Sequence, residues 1–147
     1  MRWDALTVMS QEAVRLAQAK AEELGHPEIG PEHLLWSFLT QEENIVGAVL
    51  AKIGVNPNSL RGSLEAVLGR RPKVRGGGPV VPSQTLSSIL NDAAQEAAAL
   101  KDEYTSTEHL LPALLKDGTS EAARLLQDQG VDREAVPQAL RALRGSQ

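Results

Sequence analysis

This chain is written twice, in register. Sliding it by 76 residues lays 10–69 over 86–145, and 14 of the 60 pairs are identical, where composition alone gives about one in fifteen. The identities are Ala17/Ala93, Ala21/Ala97, Leu24/Leu100, Glu32/Glu108, His33/His109, Leu34/Leu110, Leu35/Leu111, Leu39/Leu115, Leu50/Leu126, Gly54/Gly130, Val55/Val131, Leu64/Leu140, Ala66/Ala142 and Gly69/Gly145. Most are apolar or glycine, so the duplication preserves a packing plan. Repeat one spans 1–69, a linker 70–82 and repeat two 83–145, together one domain of 1–147. A protein built this way has a natural working surface where its halves meet.

Each half reads as four helices. Thr7 caps a helix over about 8–24, whose apolar positions Ala13, Val14, Ala17, Ala21 and Leu24 fall at spacings of three and four, and Gly25 supplies a left-handed stop. Pro31 suits the first position of a second helix, with Glu32 in its positive first turn and Leu34, Leu35, Phe38 and Leu39 as its buried stripe. A third runs from about Asn44 to Ile53 and closes at Gly54, and Asn56-Pro57 starts a fourth with Leu60, Leu64, Val67 and Leu68 on one side. Repeat two keeps the physics and changes the letters: Ser83 stands for Thr7, Ser106 for Gly30, and Asp132 caps the last helix. The expectation is an all-α fold of eight helices, a pseudo-twofold tandem repeat of two four-helix subdomains. Val80-Val81 is too short and too proline-bounded to count as a strand.

At 147 residues the chain can bury one core. It has no cysteine, hence no disulfide or thiolate chemistry, and no apolar run long enough for a signal peptide or a membrane span, so a cytoplasmic protein with no membrane partner is expected. Two acidic halves flank the linker, which carries Arg70, Arg71, Lys73 and Arg75 and no acid. Nucleic acid is one reading of that cluster. A strap packed across two acidic subdomains is the stronger one, because the flanking surfaces repel phosphate and the chain has too few aromatics for base stacking. No nucleic-acid partner is expected.

Signals for chemistry are few. Glu32-His33 and Glu108-His109 are residue types of acid–base and metal sites, but adjacent helical residues point about 100° apart and cannot chelate one ion, and two His four apart are missing. Glu in a first turn answers the helix dipole, and His before a double Leu reads as a half-buried hydrogen-bonding spacer, so no catalytic and no metal residue is assigned. Gly76-Gly77-Gly78 lacks the Lys-Ser/Thr of a phosphate loop and no strand feeds it; it reads as a hinge. Trp3, Leu6, Val8 and Met9 are either a hydrophobic staple or an exposed apolar lip at the seam of the repeats.

Met-Arg-Trp-Asp-Ala-Leu-Thr at 1–7, Leu-Gly-His-Pro-Glu-Ile-Gly-Pro-Glu-His-Leu-Leu at 24–35, Arg-Arg-Pro-Lys-Val at 70–74 and Asp-Glu-Tyr-Thr-Ser-Thr-Glu-His-Leu-Leu at 102–111 closely resemble the N-terminal domain of the Clp chaperones of the AAA+ class. The linker and the opening residues look more like ClpB disaggregases than ClpA or ClpC unfoldases. The resemblance covers essentially the whole chain and implies a non-enzymatic substrate-recognition module, without cofactor, that binds unfolded or aggregated polypeptide. It implies an ATP-hydrolysing AAA+ ring, a homohexamer, in the rest of the parent chain, with cooperation from a DnaK-type chaperone. The alternative it leaves is the adaptor- or substrate-docking domain of a ClpC- or ClpA-type protease unfoldase.

The same resemblance carries over a set of polypeptide-binding residues. Thr7 belongs to the opening motif, Asp102 is the acid after the fifth helix and Glu108 precedes the apolar stripe of the sixth, while Ile89 and Leu90 correspond to apolar groove positions of the fifth. His109 stands where some ClpB sequences have an aliphatic residue. Helices one and five are expected to meet at the pseudo-twofold axis and to bring this set onto one surface.

Overall fold

The computed structural model describes residues 2–74, 76 and 78–145. Arg75 of the basic cluster, Gly77 of the glycine run and the terminal Ser146 and Gln147 lie outside the described residues. A 3-10 turn, Trp3–Ala5, leads into α1 (Val8–Glu23), β1 (Glu28–Ile29), α2 (Pro31–Thr40), α3 (Ile45–Ile53) and α4 (Pro57–Gly69). After the linker come β2 (Val81–Pro82), α5 (Gln84–Ala99), α6 (Thr107–Asp117), α7 (Glu121–Asp128) and α8 (Ala135–Gly145). The eight-helix expectation holds among the described residues, and α5, α6 and α7 each start 76 residues after α1, α2 and α3.

The caps explain this agreement. Thr7 Oγ1 accepts from the Ser10 amide at 3.1 Å and Ser83 Oγ from the Leu86 amide at 3.0 Å. Asn56 Oδ1 takes the amides of Asn58 and Ser59, and Asp132 Oδ1 takes those of Glu134 and Ala135, the same two bonds one repeat later. Each such oxygen satisfies donors that a helix start leaves orphaned, worth about 1 kcal/mol.

The stops differ in residue but not in geometry. Gly25 takes φ +72° after α1, and its counterpart Lys101 is forced to φ +61° after α5. His26 N–H returns to the Ala21 carbonyl and Asp102 N–H to that of Ala97, so the same left-handed closure is built on a residue with a Cβ. Lys101→Gly is therefore expected to stabilise the protein by about 1 kcal/mol, a Tm gain of about 2–4 °C. A melting temperature unchanged or lowered in a thermal scan would show that the backbone carries no strain there.

One core serves both halves, with Leu34, Leu35, Phe38, Leu50, Leu110, Leu111 and Leu114 all fully buried. α1 packs on α2 and α5 on α6 within their own repeats, while α2 with α7, α3 with α6 and α3 with α8 join the halves. Helices one and five, expected to meet at the pseudo-twofold axis, are not among the closely packed pairs. What crosses the seam are the extended residues before them. The Thr7 amide donates to the Thr105 carbonyl at 3.0 Å, and the Ser83 amide to the Ile29 carbonyl at 2.9 Å. Leu6 pairs with Thr105, and Glu28–Ile29 with Val81–Pro82, parallel in both cases. Each repeat thus opens on the other repeat's first interhelical loop, a reciprocal exchange. The expectation that Val80-Val81 is too short for a strand is corrected, because Val81–Pro82 finds a ladder partner in Glu28–Ile29.

Candidate functional site

The Glu-His motifs prove to be devices of helix initiation. At the start of α6, His109 Nδ1 accepts from the Ser106 amide at 2.9 Å, and Ser106 Oγ takes the Glu108 amide at 3.2 Å. The imidazole does the work that Glu or Gln does in an ordinary capping box. With Nδ1 accepting, the proton of neutral His109 lies on Nε2, which donates to Asp102 Oδ2 at 2.8 Å. At the start of α2, His33 Nδ1 accepts from the Gly30 amide at 2.8 Å, so Nε2–H donates to His26 Nδ1 at 2.9 Å. Position 26 is the repeat partner of 102. One scaffold carries a buried His–His pair in repeat one and a half-exposed His–Asp pair in repeat two.

Burial sets the protonation of the first pair. Loss of solvation first, then the neighbouring His26 and Arg71, push His33 down from 6.5 to about 4. Burial and then Arg71 lower His26 as well. The expectation of half-buried spacers is corrected to burial: His33 is 1 % exposed and His109 9 %. Among the described residues no three His, Asp or Glu side chains are grouped to hold a metal.

The two glutamates also diverge. Glu32 is 2 % exposed; its Oε1 accepts from Arg71 at 2.6 Å and its Oε2 from the Ala122 amide, in the first turn of α7, at 3.0 Å. Arg71 also reaches Glu121 at 3.3 Å. Glu32 thus ties α2, the linker and repeat two together, and the strap reading of the basic cluster has its anchor in Arg71. Glu108 stays partly exposed and pairs with Arg144 of α8. It lines a cleft of about 300 Å³ between α5, α6 and the start of α8, with Glu96, Leu100, Pro112 and Arg133. In repeat one the equivalents of Glu96 and Pro112 are Lys20 and Trp36, whose ring lies under the Lys20 ammonium and whose Nε1–H donates to Glu65.

The residues nominated for polypeptide binding separate into three environments. Thr7 and the loop carrying Asp102 are brought together by the Leu6–Thr105 pairing. Glu108 faces the cleft. Ile89 and Leu90 are 0 % and 8 % exposed and belong to the core, which corrects their placement as walls of an open groove. The hydroxyl of Thr7 is engaged, donating to Ser10 Oγ at 2.8 Å. The lip reading and the staple reading each describe part of 3–9: Leu6 is buried, whereas Trp3 and Val8 are 42 % and 70 % exposed. Tyr104, beside Thr105, is 49 % exposed and was not singled out by the sequence.

Comparison with known proteins agrees with this architecture. Residues 5–129 match the family model described as the Clp repeat (R) N-terminal domain. A protein of Corynebacterium diphtheriae named chaperone protein ClpB is 39 % identical over 142 residues, covering 95 % of this chain and 17 % of its own length. A Bdellovibrio bacteriovorus protein of the same name is 38 % identical over 143 residues, covering 97 % and 17 %. The chain therefore spans about a sixth of the length of these curated relatives. Among solved structures, the Hsp104 N-terminal domain from Candida albicans has a TM-score of 0.82 at 20 % identity, covering 97 % of this chain and 93 % of that one. The N-terminal domain of ClpV1 ATPase from E. coli has a TM-score of 0.84 at 23 % identity, covering 99 % and 88 %. A tandem four-helix duplication with the caps, seam and relatives described here places this chain in the family of Clp repeat N-terminal domains.

Proposed function

We propose that this domain takes up unfolded or aggregated polypeptide at the seam of its repeats and passes it to an ATP-driven AAA+ ring, as the substrate-recognition module of a ClpB-type chaperone. The observation that carries the reading is a set of exposed apolar side chains at a main-chain joint. Trp3, Val8 and Tyr104 flank residues 5–7 and Thr105, which hold the two halves together. Apolar side chains give affinity that tolerates any sequence, while the exposed Asp102 and the partly exposed Glu108 offer acceptors to backbone amides. The curated relatives named chaperone protein ClpB support this reading of the parent chain. A second reading, docking of one dedicated partner segment, is favoured by a solved ClpV N-domain of the same fold in complex with a VipB peptide, at a TM-score of 0.75 and 22 % identity.

Titration of a permanently unfolded, fluorescently labelled protein separates the two. The triple variant Trp3→Ser, Val8→Ser, Tyr104→Ser is expected to bind at least tenfold more weakly, since each lost apolar contact is worth about 1 kcal/mol. Thr7→Ala, Asp102→Ala and Glu108→Ala are expected to weaken binding about two- to fivefold. Melting curves belong beside the affinities, because Thr7 caps α1 and Asp102 holds His109. Leu90→Ser is expected to lower Tm rather than affinity. Unchanged binding by the folded triple variant would move the site elsewhere on the domain. No affinity for unfolded chains, with tight binding of a single peptide, would favour the docking reading.

A further inference from the structure

The His26–His33 pair has nowhere to put a proton. His33 Nδ1 accepts from the Gly30 amide, so its only hydrogen is on Nε2 and is given to His26 Nδ1. The proton of neutral His26 is thereby fixed on Nε2, which is buried and meets no acceptor at full hydrogen-bond geometry; the Leu68 backbone is the polar group beside this ring. Every ring nitrogen is therefore either already protonated or already accepting. A proton on His26 Nδ1 sets two N–H groups head to head across 2.9 Å; a proton on His33 Nδ1 breaks the cap of α2.

What lies over this pair is the linker. The Val74 amide donates to the Gly25 carbonyl at 2.8 Å, the Lys73 side chain rests 3.4 Å from where a Cβ of Gly25 would sit, and Val74, Gly78, Pro79 and Val80 wall a cleft with His26 and Pro27. The charged groups facing the pair come from each element around it. Glu22 of α1 lines the same cleft and Glu32 of α2 sits beside His33, but Glu32 is already engaged by Arg71 and the Ala122 amide. The linker contributes Arg71 and Lys73, both cationic, and α4 only the Leu68 carbonyl. A charge arriving on His26 thus pushes on Arg71 and Lys73, two of the strap's own cations.

We propose that the His26–His33 pair is an acid-released clasp: one proton parts the two rings and frees the linker strap from the α1–α2 turn, loosening one of the two joints between the repeats. The other joint has no second imidazole. At the equivalent place the neighbour of His109 Nε2–H is Asp102 Oδ2, an oxygen rather than a second ring nitrogen, so no opposition of ring against ring arises there. The direction is fixed by linkage. His33 falls from 6.5 to about 4 in the folded protein, so between those values the unfolded or opened state binds more protons. The clasp's contribution is complete above about 6.5 and is lost as pH falls toward 4.

Amide hydrogen exchange followed by NMR from pH 7.5 downward tests this on the whole chain. After correction for intrinsic rates, protection of the Val74 and Ser83 amides is expected to fall about tenfold per pH unit below about 6. The Thr7 amide, counterpart of Ser83 in the other joint, is expected to hold its protection over the same range. His26→Asp, which copies repeat two, is expected to keep the strap protected down to pH 5; His26→Asn, a neutral acceptor at the same place, serves if the first variant does not fold. Strap amides that keep their protection from pH 7.5 to 5 in the wild type would overturn the proposal. So would a parallel loss at Thr7, or acid loss that persists in the folded variants.

Discussion

Glu32→Ala is expected to cost about 3 kcal/mol of folding free energy, against less than about 1 kcal/mol for the same change at Glu108. The two residues open the same motif in equivalent helices, and the sequence offers no means of ranking them. Glu32 is almost fully buried and its two oxygens serve Arg71 and the Ala122 amide. Truncating it strands a buried donor and removes the first partner of a half-buried guanidinium, while Glu121 still offers Arg71 a second. That residual partner keeps the loss at the low end of the range for broken buried pairs. Glu32→Gln retains one acceptor and is expected to cost about half as much. Glu108 is 30 % exposed at its side chain and makes one pair with a solvent-facing arginine. Urea denaturation of the four proteins decides the matter; equal losses at the two positions would refute the assignment of Glu32 as the tie between repeats.

How far the sequence could be read follows from where each signal resides. Helix starts were legible because a cap is a local event: Thr7, Asn44, Asn56, Ser83, Ser106 and Asp132 each bind amides within three residues of themselves. The reciprocal pairing of 5–7 with Thr105 and of 81–83 with 28–29 was not, since it consists of main-chain bonds between two-residue segments that no side-chain pattern marks. Ile89 and Leu90 show a different limit. Their place in a groove came from resemblance by position, and both are buried on α5 with Leu86, Ala93 and Ala97, so a position matched to relatives does not by itself tell an edge of the core from the wall of a groove. The His26/Asp102 correspondence was present in the 76-residue offset, yet counting identities passes over a pair whose residues differ. Here the difference is the informative part, because identical scaffolds isolate what a single side chain changes.

Severed in the linker, neither half is expected to fold alone. A fragment of 1–69 loses the partners of α2 and α3, and one of 80–147 loses those of α6, α7 and α8. Val46, Val49 and Leu50 on α3 and Val136 and Ala139 on α8 are buried in a core the two halves share. Uncovering even half a dozen such side chains, at about 1.5–3 kcal/mol each, removes as much as the 5–15 kcal/mol that holds an ordinary domain together. The fragments also lose Glu32's hold on α7 and the reciprocal bonds of Thr7 and Ser83. Each fragment is expected to give a collapsed proton–nitrogen correlation spectrum, and an equimolar mixture to recover the dispersed spectrum of the intact chain. Uptake of unfolded polypeptide should follow the same course, because Thr7 and Val8 come from one fragment and Asp102, Tyr104 and Glu108 from the other. A dispersed spectrum from either fragment alone would mean that the repeats are independent domains, and the seam would then be a contact between them rather than the center of one fold.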